Sequence, residues 1–199
     1  TNMIDLSDVL IRLNNLMGRK NLPAGETDNL ERYCQDAFDY AWRYYPWTFS
    51  KKRATVALNN QGISYLPDDF DLEGWRSIDG VSEVQLGSGS STTVSFEFDQ
   101  NKGLYKAVGA NKFTMTYQTE PPALTSNKKV PFPSAMAIAL GAVIYAKEAD
   151  NPAHADVTQE WDQFHVELDR LVGLAQRHTP RHIATYQDAM GTYTGDVGD

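Results

Sequence analysis

Four histidines, all late in the chain at His154, His165, His178 and His182, are the first residues to ask for chemistry. Catalysis needs a base, a nucleophile or a metal held in a fixed constellation. His154 precedes Asp156 and Glu160, and with Thr158 and Trp161 it could share one face of a helix start. A metal there needs a further ligand from elsewhere, and no H-E-x-x-H spacing occurs. Acidic residues at a helix start are already favoured by the macrodipole, so Asp156 and Glu160 need no ligand to explain them. Around Pro180, Arg177, His178, Arg181 and His182 form one locally basic patch. It suits a phosphate or an acidic partner surface; the plainer alternative is a cationic helix end. Asp68, Asp69 and Asp71 have calcium-binding side chains but lack the 12-residue ligand pattern of an EF-hand, and Asp after Pro67 is ordinary turn chemistry. The loop Gly87-Ser88-Gly89-Ser90-Ser91 is neither a Walker phosphate loop nor a nucleophile elbow. Cys34 is the single cysteine, too few for a disulfide or a structural zinc site, and its apolar helical neighbours predict a buried, inert thiol. No catalytic motif results. The chain is read as not an enzyme, with no metal and no cofactor.

The totals agree with that reading. At 199 residues the chain can bury one good core or two small ones, and 41% hydrophobic with 22% charged residues is ordinary globular composition. A net charge of −8 argues against general affinity for nucleic acid, which rests on Lys and Arg neutralising phosphates. No run approaches the roughly 20 apolar residues of a membrane span. Asp5, Asp8 and Arg12 interrupt any signal-peptide pattern, and a start at Thr1 rather than Met fits removal of an initiator or a tag.

The elements that would position any site follow from periodicity. Leu6, Val9, Leu10, Leu13, Leu16 and Met17 form a helical stripe, with Asp5 or Ser7 as N-cap candidates and Gly18 just past the end. A second helix is predicted over Thr27 to Tyr44, its core face running through Leu30, Cys34, Ala37, Phe38, Ala41 and Trp42. Pro46 ends it. Trp47 and Phe49 are then placed to wedge between a helical layer and a sheet. Arg53 to Leu58 and Ile63 to Leu66 are predicted to be a hairpin across Asn59-Asn60-Gln61-Gly62. Further strands are expected at 74–81, 84–86, 92–98, 104–108 and 112–118.

A Pro-rich connector over 120–133 leads to a helix at Ser134 to Asp150, with Pro131 and Pro133 opening it. Met136, Ala139, Leu140, Val143, Ile144 and Lys147 trace one side of it, and its Ala and Gly content permits close helix approach. A last helix is expected from Pro152 to Arg177, and beyond His178 the periodicity dissolves. That tail is either a floppy terminus or a segment that orders on a partner. The predicted fold is α+β: a four-helix bundle from residues 1–50 and 130–178, an antiparallel β domain over 51–129 inserted between the second and third helices, and an extended tail over 179–199.

The joint between the two parts carries a resemblance. The aromatic plug PWTF at 46–49, the strand KKRATVAL at 51–58 and Y-L-P-D-D-F at 65–70 resemble the head-to-tail adaptors of tailed bacteriophages. Nearest are tail tubular protein A and the head-completion adaptors of short-tailed phages. The likeness covers nearly the whole chain as a layout and is residue-specific at Trp47, Phe49, Tyr65, Leu66, Pro67 and Asp68. It implies a structural virion protein of the phage neck, assembled in the host cytoplasm as a ring of about a dozen copies beneath the portal protein. In such adaptors the bundle forms the ring and the C-terminal segment reaches the portal. Here that implies contacts from Arg181, His182, Tyr186, Met190 and Tyr193. The β domain would face outward, or towards the tail nozzle (tail tubular protein B) and the tail fibres. Double-stranded DNA would pass through an acidic lumen without specific binding, and no membrane is involved. The alternative is a soluble non-viral binding module whose β domain holds a ligand. A ring former should carry complementary patches on two faces of the bundle; a monomeric module should carry one cleft.

Overall fold

Pro46 has no amide hydrogen and drives the residue before it out of helical geometry. In a computed structural model of the chain, helix α2 (Thr27–Tyr44) ends at that point, with Tyr45 extended at φ −145°, ψ 147°. The structure describes residues 3–18, 26–59, 63–73, 78–86, 95–99, 104–108, 110–124 and 128–178. Among these are four helices and small antiparallel sheets, a mixed α+β chain.

Helix α1 (Leu6–Leu16) stops where Gly18 takes φ +68°, its amide bonded 3.1 Å from the Asn15 carbonyl. This left-handed position suits glycine because it has no Cβ. At the other end of α1, Asp5 occupies the N-cap position but makes no capping bond; it pairs with Lys129. The Leu6 amide instead donates to the Lys128 carbonyl at 3.0 Å, next to a two-stranded sheet of β1 (Ile4–Asp5) and β8 (Lys129–Val130). Periodicity gave no sign of so short a pair.

Helix α3 (Ala135–Asp150) is capped by Ser134, whose hydroxyl accepts from the Ala137 amide at 3.1 Å. Pro131 and Pro133 therefore precede the cap rather than occupy the first turn. The one-sided stripe expected for this helix is also corrected. Ala137, Ile138, Ala139, Ala142, Val143 and Ile144 are all buried, so apolar residues surround the axis, while Met136 is exposed. A helix apolar all round belongs at the centre. It packs against α1, α2 and the last helix, α4 (Thr158–His178). That last helix begins at Thr158 rather than Pro152. Residues 152–154 form a turn, and the Asp156 carboxylate accepts the Thr158 amide at 3.2 Å.

The middle of the chain contributes β2 (Lys51–Ala57), β3 (Ile63–Tyr65), β4 (Ile78–Leu86), β5 (Ser95–Asp99), β6 (Leu104–Val108) and β7 (Ala110–Gln118). They form two three-stranded sheets, ordered β2-β7-β4 and β3-β6-β5, with every pairing antiparallel. The expected hairpin between β2 and β3 does not form. β2 pairs along its full seven residues with β7, from Lys51 opposite Gln118 to Ala57 opposite Lys112, whereas the three residues of β3 pair with β6. The longer ladder satisfies more backbone groups than β3 could offer. The strands expected at 74–81 and 84–86 are one strand, β4, whose register shifts three times against β7.

Two cores result. The larger joins all four helices with Trp47, Leu124, Val130 and Phe132; the smaller is Val56, Phe70, Met115 and Tyr117 with Leu66 at its margin. Leu124 thus packs with the helices although it lies inside the segment 51–129. No helix among the described residues is long and apolar enough to cross a membrane.

Candidate functional site

Where the chain leaves α2, the aromatic plug is built from both ends of the sequence. Trp47 is buried, its Nε1 donates to the Ala41 carbonyl at 2.8 Å, and its ring stacks on Phe49 at 5.6 Å and 11°. Phe132 meets Trp47 edge-on at 5.4 Å and Phe49 at 5.7 Å. Burying an aromatic of this size is worth about 1.5–3 kcal/mol, and ring pairs add about 0.5–1.5 kcal/mol more. Leu66 packs instead at the smaller core, the Pro67 carbonyl accepts the Phe70 amide at 3.0 Å, and Tyr65 is 81% exposed. The residues named for the joint therefore fall into two places, Trp47 and Phe49 in the helical core and Leu66 and Pro67 beside the sheet.

A polar seam, which periodicity had not singled out, connects the two places. Trp42 Nε1 donates to the Thr119 carbonyl at 2.7 Å, and Gln118 Nε2 donates to the Trp42 carbonyl at 3.0 Å. One residue further along α2, Arg43 Nε and Nη2 grip the Asp71 carboxylate, whose side chain is 1% exposed, while Nη1 reaches Glu73 at 2.9 Å. Burial works against the Arg43 charge, but the Asp71 hydrogen bonds outweigh it and raise its pKa. A fork-shaped guanidinium is the side chain that can hold a buried carboxylate this way. The signal in the sequence was an arginine in the last turn of an apolar-faced helix followed by an Asp-rich turn.

Grooves indent the helical surface, among them one of about 130 Å³ lined by Met17, Leu30, Tyr33 and Ala146 and two wider ones. The first, about 520 Å³, is lined by Asp36, Asp39, Tyr40, Arg43, Tyr44 and Tyr145. Its α2 residues fall at the i, i+3, i+4, i+7 spacing of one helical stripe. Below them Tyr40 Oη and His165 Nε2 share a hydrogen bond at 2.7 Å, and Tyr44 donates to Asp169 at 2.7 Å. Burial and the neighbouring Asp169 push the Tyr44 phenol up to about 12. Burial also raises the Asp39 carboxyl above its ordinary value, against the lowering effect of the Gln35 hydrogen bond and the Arg43 charge.

The second groove, about 840 Å³, is lined chiefly by Asp8, Ile11, Arg12 and Asn15 of α1, Met136 of α3, and Glu167 and Arg170 of α4. Ile11 is 57% exposed, and Arg12 has no ion-pair partner among the described residues. Glu167 is held by Arg170 at 2.7 Å, which is the main reason its carboxyl lies below the usual range.

The grooves share no lining residue. Met136 and Tyr145 are nine residues apart on α3, which is half a turn around the axis and about 13 Å along it. On α4, His165 and Asp169 face the first groove, whereas Glu167 and Arg170, about 150° round at 100° per residue, line the second.

The remaining sequence candidates stay apart from both grooves. His154 is exposed, and no group of His, Cys, Asp and Glu among the described residues could hold a metal ion. Asp69 is engaged by Lys52 and by the Tyr117 hydroxyl at 2.7 Å, and Asp71 by Arg43, leaving no open oxygen cage. Cys34 is fully buried, and burial pushes its thiol up to about 12, with Glu31 adding to the effect. A thiol so shifted stays protonated and unreactive. Arg181, His182, Tyr186, Met190 and Tyr193 lie outside the described residues. No protein-family model matches the chain, and no curated protein matches it.

Proposed function

We propose that this chain is a structural subunit of a phage neck, a head-to-tail adaptor that closes into a ring beneath the portal and continues the DNA channel. The four helices from both chain ends form the bundle that builds the ring, the β domain over 51–129 hangs from it between the second and third helices, and residues 179–199 extend to the portal. The observation that carries the reading is a pair of non-equivalent grooves that share no lining residue, one along α2 and one along α1. A closed head-to-tail ring needs two different faces on each subunit, one for each neighbour.

The chemistry of the chain supports the role in two further ways. A net charge of −8 lets DNA slide past, because Asp and Glu neutralise no phosphates. The Arg43–Asp71 clamp and the Trp42 hydrogen bonds tie the β segment to α2, which suits a subunit that passes load between head and tail. Partners on this reading are the portal, the tail nozzle and, on the β domain, tail fibres. Removing residues 179–199 tests the assignment of the tail. The shortened protein is expected to keep its helical signal and unfolding midpoint but to lose binding to the cognate portal. Undiminished binding would show that Arg181, His182, Tyr186, Met190 and Tyr193 are not the portal contacts.

A further inference from the structure

The outward stripes of α1 and α2 carry the same charge pattern, an aspartate four residues before an arginine. On α1 it is Asp8 and Arg12, with Ile11 between them and Asn15 one turn on; on α2 it is Asp39 and Arg43, with Tyr40 between them and Asp36 one turn earlier. Each stripe lies in a different groove, and Arg12 and Asp36 both lack an ion-pair partner among the described residues. Laid antiparallel, the two stripes bring the free charge of α1 against the carboxylates of α2. Arg12 falls opposite Asp39, Asn15 opposite Asp36 and Ile11 against the Tyr40 ring, while Asp8 falls opposite Arg43, whose guanidinium is already held by Asp71 and Glu73. Laid parallel with the two Asp-to-Arg steps side by side, Asp8 would meet Asp39 and Arg12 would meet Arg43, a repulsive register.

We infer that the α2 groove is the docking site for α1 of a second copy of this chain, packed antiparallel in that register. The inference rests on the ring reading and names its subunit interface. Ile11, exposed on the molecule by itself, becomes the apolar centre of the contact, and Tyr40, Tyr44 and Tyr145 give the incoming Arg12 guanidinium aromatic faces as well as carboxylates. Because the two stripes are on different helices and line grooves with no residue in common, each copy can engage two neighbours at once.

The test uses the full chain with and without its cognate portal. Asn15→Cys with Asp36→Cys places two exposed thiols at one expected contact, while buried Cys34 stays silent. Oxidation should give a ladder of disulfide-linked multimers on a non-reducing gel, and neither single variant should go beyond a dimer. Arg12→Glu alone and Asp39→Lys alone should each weaken association at least tenfold by sedimentation. The double variant Arg12→Glu with Asp39→Lys, which restores opposite charges, should recover most of it. Circular dichroism of each variant confirms folding. Rings that form on the portal without the disulfide ladder, and are indifferent to Arg12→Glu, would overturn this interface and leave the ring reading standing. A ladder and charge-swap rescue in a chain that ignores the portal would support the interface and overturn the adaptor role. A chain that neither assembles nor cross-links would overturn both.

Discussion

Replacing Gly141 with alanine should destabilise the protein, whereas the same replacement at Gly173 should stabilise it. Both glycines lie within helices, α3 and α4, where alanine by itself gains about 1 kcal/mol over glycine. They differ in what surrounds them. A Cβ at Gly141 would sit 2.8 Å from the Ala37 Cβ on α2 and 2.8 Å from the Phe164 Cζ on α4, while a Cβ at Gly173 meets nothing within 4 Å. Neither neighbour can retreat. Ala37 is fully buried on the backbone of α2, and the Phe164 ring is hemmed in by Tyr40 and Trp161. An extra methyl forced into a packed core costs about 1–3 kcal/mol. Subtracting the helix gain leaves Gly141→Ala less stable by up to about 2 kcal/mol, and Gly173→Ala more stable by up to about 1 kcal/mol. Urea unfolding of the full chain, followed by far-ultraviolet circular dichroism, measures both against the parent. A Gly141→Ala variant as stable as Gly173→Ala would refute the claim that α3 meets α2 and α4 at glycine distance.

Two further outcomes follow from the seam between helices and sheet. Arg43→Ala takes the guanidinium fork away from the Asp71 carboxylate, whose side chain is 1% exposed, and should lower stability by about 1–3 kcal/mol; an unchanged urea midpoint would mean the clamp is not structural. The Asp69 carboxyl is held below its ordinary value, burial opposing the shift but the Lys52 and Tyr117 hydrogen bonds outweighing it. A depressed carboxyl adds stability that is fully present above the usual aspartate range and is lost as pH falls through the lowered value. The midpoint gap between the parent and Asp69→Asn should therefore be widest near neutral pH and close on acidification; a gap independent of pH would contradict the assignment.

What the sequence made legible was whatever is decided locally. The end of α2 at Pro46, the turn at Gly18, the core stripe through Leu30, Cys34 and Phe38, and the inert thiol all follow from neighbours a few residues away. The partners of strands were not legible. Period-two alternation shows that β2 is a strand but is blind to which strand lies beside it, and the turn residues at 59–62 favoured the wrong one. The all-round burial of α3 was missed because alanine reads as indifferent in a stripe, although a chain of small residues is what lets three helices approach one axis. The seam was missed for a different reason. Arg43 and Asp71 are 28 residues apart, and each taken singly is an ordinary surface residue. Of the candidate sites, Trp47 and Phe49 were readable from size and position, whereas the two grooves depend on which helix faces turn outward. Asp8, Ile11, Arg12 and Asn15 do show the i, i+3, i+4, i+7 spacing, but on the side of α1 that a core-seeking reading passes over.

The most direct measurement on the adaptor role is particle imaging of the full chain mixed with its cognate portal. The expected result is a closed ring of the chain seated beneath the portal, with α1 of each copy against α2 of the next and density for residues beyond His178 on the portal surface. Portal particles that remain bare at every salt concentration, with the chain free in solution, would contradict it.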